Sequence, residues 1–260
     1  MNKILVTGAS GQLGKTFNDI RLEYPKLDFV FLDSKQLDIT NNLSIEKAFT
    51  LAKFDFCINC AAYTNVEQAE KTPEIAFKVN AEGVKNLALA CKKNNVTLIH
   101  ISTDYIFDGE KTVPYTIEDT PNPINQYGKS KLAGEKYIQE ILNKYFIVRT
   151  SWLYSKIHGN NFYKTILQKA KNGDLIKVTD EQIGCPTDTI NLAKFTLNII
   201  DRKDHSKSIL HFTDRLPMTW YDFAESIISY NKMDSSKLLV LDRNYRTFAN
   251  RPRYSVLKTN

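Results

Sequence analysis

Short runs in which nearly every residue is apolar alternate, along the first two thirds of the chain, with longer stretches whose apolar positions fall three and four apart. KILVT, DFVFL, DFCIN, VTLIHIS and FIVRT belong to the first kind. They are too short for buried helices and predict strands covered on both faces. The segments around residues 12–23, 43–52, 73–93 and 127–143 belong to the second kind and predict helices. Strand and helix in alternation predict an α/β fold, a doubly wound parallel sheet with helices on both sides. After Arg149 the rhythm breaks. Helices are predicted around NNFYKTILQKA, near 189–200 and over 219–231, strands near IKVTD and ILHF, and a loop at GCPTD. Residues 1–150, joined by about 187–210, are therefore read as the sheet domain. The rest of 151–260 is read as a smaller C-terminal lobe, packed on the sheet because no flexible linker separates them.

Composition narrows the picture. With 260 residues, 42% of them hydrophobic, the chain can bury a sizeable core without staples. Its 35 basic and 29 acidic residues leave a net charge of +6, scattered and lacking the basic stripe with interleaved aromatics of a nucleic-acid binder. MNKILVTGAS is too short an apolar run for a signal peptide, and no run reaches the about 18 apolar residues of a membrane span. A soluble cytoplasmic protein is expected. Cys57 and Cys60 form a C-x-x-C, but on a strand residues three apart point to opposite faces, so they are read as buried reduced thiols, like Cys91 and Cys185. His100, His158, His205 and His211 have no metal-ligand spacing and are read as ordinary core or surface residues. No metal is predicted.

Candidate chemistry begins directly after the first strand, where TGASGQLG sets Gly8, Gly11 and Gly14 in a G-x-x-G-x-x-G pattern ahead of a helix. Glycines permit the tight turn and let backbone amides approach a pyrophosphate, and the helix amino terminus favours its negative charge. Gly8, Ser10, Gly11, Gln12, Leu13 and Gly14 are thus candidate cofactor contacts in a Rossmann-type sheet. The second strand ends in FLDSK, where Asp33 could accept ribose hydroxyls, while Ser34 and Lys35 could meet a 2′-phosphate; NADH and NADPH both stay open. Asp38 and Ile39 of LDIT are read as lying near the adenine.

VTLIHIS runs into STDYIFDG, which places Ser102, Thr103, Asp104 and Tyr105 at the carboxyl end of a strand, where open parallel sheets bind ligands. In NQYGKSKLAGEK, Tyr127 and Lys131 stand one helical turn apart on one face. An unperturbed phenol titrates near 10, so proton transfer at cellular pH calls for a nearby cation such as this lysine. A hydroxyl from the strand and the phenol from the helix could converge on one carbonyl oxygen.

Taken in order, VTGASGQLG, LDIT, INCAAYTNVEQAE, VNAEGVKNLA, ISTDYIFDG, PINQYGKSKLAGE, VRTSWLY, GNNF, EQIGCPT, MTWYDFAE and RPRYSVL resemble the extended short-chain dehydrogenase/reductase family over almost the whole chain. Within it they are similar to the branch that reduces dTDP-4-dehydro-L-rhamnose for polysaccharide synthesis. The resemblance implies a nucleotide-sugar substrate and hydride from NADPH or NADH. It implies a catalytic trio in which Tyr127 protonates the oxygen on sugar carbon 4, Thr103 holds that oxygen, and Lys131 binds the nicotinamide ribose and lowers the tyrosine pKa. It puts Ala61, Ala62 and Tyr63 at the cofactor, and Thr64, Val66, Asp104, Tyr105 and Trp152 at the sugar. Two departures stand out. Family members continue past R-P-x-x-S-x-L into a final helix, whereas this chain stops at Asn260, so a lobe shortened at its C-terminus is expected. Relatives bridged as dimers by Mg²⁺ carry a glutamate where Lys15 stands, so that metal site is not expected, and a homodimer is one assembly among those open. The motifs also admit a reductase of another nucleotide-linked 4-keto sugar. They admit, too, a non-catalytic dinucleotide-binding regulatory subunit of methionine adenosyltransferase, against which the intact Thr103, Tyr127 and Lys131 argue.

Overall fold

The computed structural model describes residues 1–201, 208–214 and 216–259. His205, Asn260 and part of the 187–210 segment lie outside the described residues. Five strands, β1 (Asn2–Thr7), β2 (Leu27–Leu32), β3 (Phe56–Asn59), β4 (Thr97–Thr103) and β5 (Tyr145–Thr150), pair with a sixth, Ser208–His211, in one sheet. Its order is β2-β1-β3-β4-β5 and then Ser208–His211, with every pairing parallel. The chain steps outward from β1 to β2 and then resumes at β3 on the other side of β1. The crevice at such a reversal opens at the carboxyl ends of β1 and β3.

Alternation within each strand supplies two separate cores. Leu5, Cys57, Leu98 and Ile147 face helices α2 (Asn42–Phe49), α5 (Val84–Lys93) and α6 (Gln126–Ile141), where Ile45, Leu87, Cys91 and Ile138 meet them. Ile4, Val6, Ile58, Ile99 and Val148 face α1 (Gln12–Ile20) and α8 (Thr189–Ile200), against Phe17, Leu192 and Leu197. Burial on both sides is why these strands read as continuous apolar runs. Cys57 packs in the first core and Cys60 against the second, and all four cysteines are free thiols. Cys60 departs from the expected full burial, because it sits just past the end of β3 where the sheet opens.

The helix predicted over 73–93 is broken into α4 (Pro73–Phe77), a π-helical turn at Lys78–Gly83, and α5. The wide turn has a use. It carries Asn80, wholly buried, whose amide accepts from Tyr63 N (2.8 Å) and donates to Tyr63 O (2.9 Å) and Ser130 Oγ (3.0 Å). A further helix, α3 (Val66–Lys71), begins where the Asn65 side chain accepts from Gln68 N; at six residues it is too short for a periodicity to reveal.

The segments after β5 build a third core, a lobe of α7 (Phe162–Asn172), α9 (Trp220–Tyr230) and the parallel strands Ile176–Val178 and Leu239–Leu241 around Tyr154, Ile166 and Phe223. The final stretch then runs back along the sheet domain. Val256 O accepts from Tyr115 N, Lys258 N donates to Tyr115 O, and Leu257 packs with Ile106, Phe107 and Tyr115. Among the described residues no helix is long and apolar enough to cross a membrane.

Helix α6 approaches the π-turn so closely that a Cβ on Gly134 would lie 2.2 Å from Asn80 O. Alanine favours a helix interior over glycine by about 1 kcal/mol, but overpacking against backbone costs about 1–3 kcal/mol. Gly134→Ala is therefore expected to lower the urea midpoint, and a midpoint at or above the parent's would refute this packing.

Candidate active site

A cavity of about 460 Å³ opens at the carboxyl edge of the sheet. Gly11, Gln12 and Leu13 contribute from the amino end of α1, Ser102, Thr103, Asp104 and Tyr105 from the end of β4, Tyr127 and Lys131 from α6, and Trp152, Gly159, Asn160 and Trp220 from the lobe. Ala62, Thr64 and Val66 line it after β3. The glycine turn is sterically dictated. Gly8 has φ +63, and a Cβ there would sit 2.6 Å from Ala61 N, while one on Gly14 would sit 2.5 Å from Gly8 O. Gly11 caps α1 with no side chain, so the first turn's amides keep free donors toward the cavity. Gln12 ties this end to the lobe, donating to Leu153 O (3.2 Å) and accepting from Asn161 Nδ2 (3.2 Å).

Asn125 accepts from Gly128 N and starts α6 one residue before Gln126, which fixes the turn that carries Tyr127. Burial pushes the Tyr127 phenol up, as do Asp104 and Tyr105, and a hydrogen bond with the Thr103 hydroxyl pulls it back. Thr103 Oγ1 also donates to Asp104 Oδ1 (3.1 Å) and accepts from Tyr105 N (3.1 Å). The expected lowering of the phenol by Lys131 is not found. The lysine is 2% exposed, and its Nζ is engaged on β4, donating to Ile101 O (2.7 Å) and lying 3.2 Å from His100 Nε2. Burial brings Lys131 down to about 8 against the opposing pull of Glu135 and Cys60. Burial likewise raises Asp104 to about 6, restrained by hydrogen bonds with Ser255, Thr103 and Ser151.

Trp152 adopts a left-handed backbone, φ +46, a conformation strained for a bulky residue. Its indole lies parallel to Trp220 at 3.5 Å between ring centroids, against Gly184, where a Cβ would clash with the ring at 2.5 Å. Opposite, Tyr105 meets Tyr127 edge to face at 6.0 Å.

Other expected contacts lie outside the cavity lining. Gly8, Gly14 and Ala61 form the turn beneath it, and Ser10 is exposed beside it. Asp33 ends at the tip of β2 with Oδ1 accepting from Lys35 N and Gln36 N, and Asp38 is exposed with Oδ1 bonded to Thr40. The Ile39 side chain belongs to the core, 3% exposed and against Gly83, and Tyr63 is held by Asn80.

Residues not singled out from the sequence complete the site. Arg251 lines the cavity, with Nη2 on Glu67 (2.8 Å), Nη1 on the Tyr105 hydroxyl (3.3 Å) and a buried Nε lacking a partner. Its signal was the charge inside RPRYSVL. Beneath α6, Arg149 forms a buried ion pair with Glu135 (2.7 Å), which also accepts from Ser102 Oγ. His100, which the sequence marks only as a core or surface residue, touches Lys131.

A doubly wound parallel sheet with a glycine turn, a strand-end threonine and a Tyr-x-x-x-Lys pair at its carboxyl edge defines a Rossmann-type short-chain dehydrogenase/reductase. Comparison with known proteins narrows the class. Residues 1–260 match the family model of the RmlD substrate binding domain, and the chain belongs to that family. It is similar to the dTDP-4-dehydrorhamnose reductase of Aggregatibacter actinomycetemcomitans, 37% identical across 99% of this chain and 90% of the relative. Among solved structures it is similar to the dTDP-4-dehydrorhamnose reductase of Clostridium acetobutylicum (TM-score 0.91, 40% identity, 99% and 90% covered). The Bacillus anthracis dTDP-4-dehydrorhamnose reductase in complex with NADP is similar as well (TM-score 0.92, 39% identity, 100% and 92% covered).

Removing one member of a buried ion pair strands the other's charge, at a cost of about 3–5 kcal/mol. Glu135→Gln, which leaves Arg149 3% exposed in its side chain, should lose stability on that scale in urea unfolding. A loss below about 1 kcal/mol, the scale of surface pairs, would show that the pair does not hold α6 to the sheet.

Proposed function

We propose that this chain is an NAD(P)H-dependent oxidoreductase that reduces the 4-keto group of dTDP-4-dehydro-L-rhamnose to dTDP-L-rhamnose, in the cytoplasm, for cell-surface polysaccharide synthesis. The observation that carries the reading is the meeting of the Thr103 hydroxyl and the Tyr127 phenol in one cavity with the uncapped amino end of α1. The chain's own residues suit a dinucleotide. The turn at Gly8 and Gly14 leaves no room for side chains, and α1 presents free amides where a pyrophosphate would lie. When bound, the reduced nicotinamide supplies the hydride. The NADP complex of the Bacillus anthracis relative supports NADPH, with NADH as the alternative.

Thr103 and Tyr127 would both donate to the oxygen on sugar carbon 4, and Tyr127 would pass its proton to that oxygen as negative charge develops there. A phenol kept protonated by its burial suits a donor. Lys131 would hold the nicotinamide ribose, with Gly11, Gln12 and Leu13 at the pyrophosphate and Asp33 at the adenosine ribose. Thr64, Val66, Asp104, Tyr105 and Trp152 would line the sugar, in a lobe formed by 151–260 apart from about 187–210. The stacked indoles of Trp152 and Trp220 offer an apolar wall to that lobe's side of the site.

With NADPH and dTDP-4-dehydro-L-rhamnose, Tyr127→Phe is expected to lower kcat by about 10²–10⁴-fold, the span attributed to general acid–base catalysis, with cofactor affinity near that of the parent protein. Undiminished turnover would remove Tyr127 from the proton step. In Lys131→Met both chemistry and nicotinamide binding should weaken, and unaltered cofactor affinity would exclude the ribose contact. A panel of 4-keto sugars on other nucleotides tests the substrate, and a preference for one of them would overturn it.

A further inference from the structure

Three polar residues on three neighbouring strands lie side by side on one face of the sheet, and their row ends at Lys131 of α6. Thr7 on β1 is in register with Asn59 on β3, and Asn59 with His100 on β4. Their exposures are 0%, 1% and 0%, so each polar atom must find a partner inside the protein. Thr7 Oγ1 lies 2.6 Å from Asn59 Oδ1, Asn59 Nδ2 lies 3.0 Å from His100 Nδ1, and His100 Nε2 lies 3.2 Å from Lys131 Nζ.

The direction of these bonds follows from one group that can only donate. The backbone N–H of Ala61 points at Asn59 Oδ1 (3.2 Å). Turning the amide over would set Nδ2 against that N–H, so the carboxamide oxygen is fixed toward Thr7 and Ala61 and the nitrogen toward the imidazole. Nδ1 of His100 must then accept. A neutral ring with Nδ1 as acceptor carries its proton on Nε2, and a protonated ring would oppose two donors at Nδ1. Burial and the neighbouring Lys131 both hold His100 well below its ordinary titration range, which agrees with a neutral ring. The Nε2–H faces Nζ. An ammonium has no lone pair to receive it, whereas a neutral amine accepts this N–H and still donates to Ile101 O.

We propose that Asn59 and His100 are positioning residues that weaken proton binding at Lys131, Asn59 fixing the imidazole as the Nε2–H tautomer and that N–H favouring the amine over the ammonium. The groups facing Nζ from other quarters are Glu135 on α6 and Cys60 beyond β3, both of which favour the charged form, while desolvation disfavours it. Tyr127 stands one turn before the lysine on α6. The consequence for catalysis rests on the function proposed above: activity that needs a charged Lys131 falls as pH rises through the lysine's titration near 8, where burial brings it, and residues that touch neither substrate nor cofactor shift that limb further.

The tautomer can be read in the parent protein without any assay of activity, so its outcome is separate from the fate of the reductase assignment. In ¹⁵N NMR of histidine-labelled protein at neutral pH, His100 is expected to show a pyridine-like Nδ1 and a pyrrole-like Nε2. The opposite tautomer, or a protonated ring, overturns the proposal. The lysine is then followed by ¹³Cε NMR titration, its signal identified by loss in Lys131→Met. Asn59→Asp supplies a carboxylate that accepts an Nδ1–H, freeing Nε2 to accept from an ammonium. It is expected to strengthen proton binding at Lys131 by about tenfold or more, one unit of pKa. In a His100→Leu background the same substitution should have little effect. An unmoved midpoint in Asn59→Asp, or an equal shift without the imidazole, overturns the proposal.

Discussion

A parallel sheet covered on both faces must satisfy internally every polar side chain it places beneath its helices. Water cannot assist there, and an unpaired amide or charge costs several times what a formed hydrogen bond contributes. Between α6 and the sheet face that its side covers, the protein sets Thr7, Asn59, His100, Ser102 and Arg149 from the strands and Lys131 and Glu135 from the helix, all 4% exposed or less. Each is bonded in one of two rows, Thr7 to Lys131 and Ser102 to Arg149. The carboxyl edge of the sheet, beside the cavity, is thus built as a polar layer inside an apolar sandwich. Its geometry follows from strand register.

The lobe depends on a different constraint. It must be held against the sheet while leaving a cleft between them, and the chain achieves this with contacts at the rim. Gln12 reaches Leu153, Asn161 reaches back to Gln12, and Arg251 joins Glu67 to Tyr105. The strained backbone of Trp152 is sustained by the face of Trp220 and the bare Cα of Gly184. Strain of this kind persists only where the surroundings over-determine it.

Much of the architecture was legible because burial on both faces leaves a strong mark. KILVT, DFCIN and FIVRT could be little else than interior strands, and the glycine spacing after the first of them set the turn. The 73–93 segment misled because a π-turn preserves apolar composition while shifting phase, and only the tertiary need to aim Asn80 at Tyr63 explains it. His100 is illegible in the sequence for a related reason. Thr7 and Asn59 are 52 positions apart and Asn59 and His100 are 41 apart, and a lone histidine in an apolar run gives no sign of its neighbours until the strands are aligned. Arg251 and Trp220 reach the cavity from distant segments, which no local spacing encodes.

The row from Thr7 to Lys131 lies where the sheet is most deeply enclosed. Proteins open in cooperative units, and central strands part only with the whole domain, whereas loops and edges open at little cost. The lysine's surroundings therefore belong to the most slowly exchanging part of the molecule. The tryptophan wall and the arginine clamp belong to segments that can breathe. With the roles proposed for these residues, such a division would let the sugar side loosen to admit and release a ligand while the proton-handling side keeps one shape through every turnover.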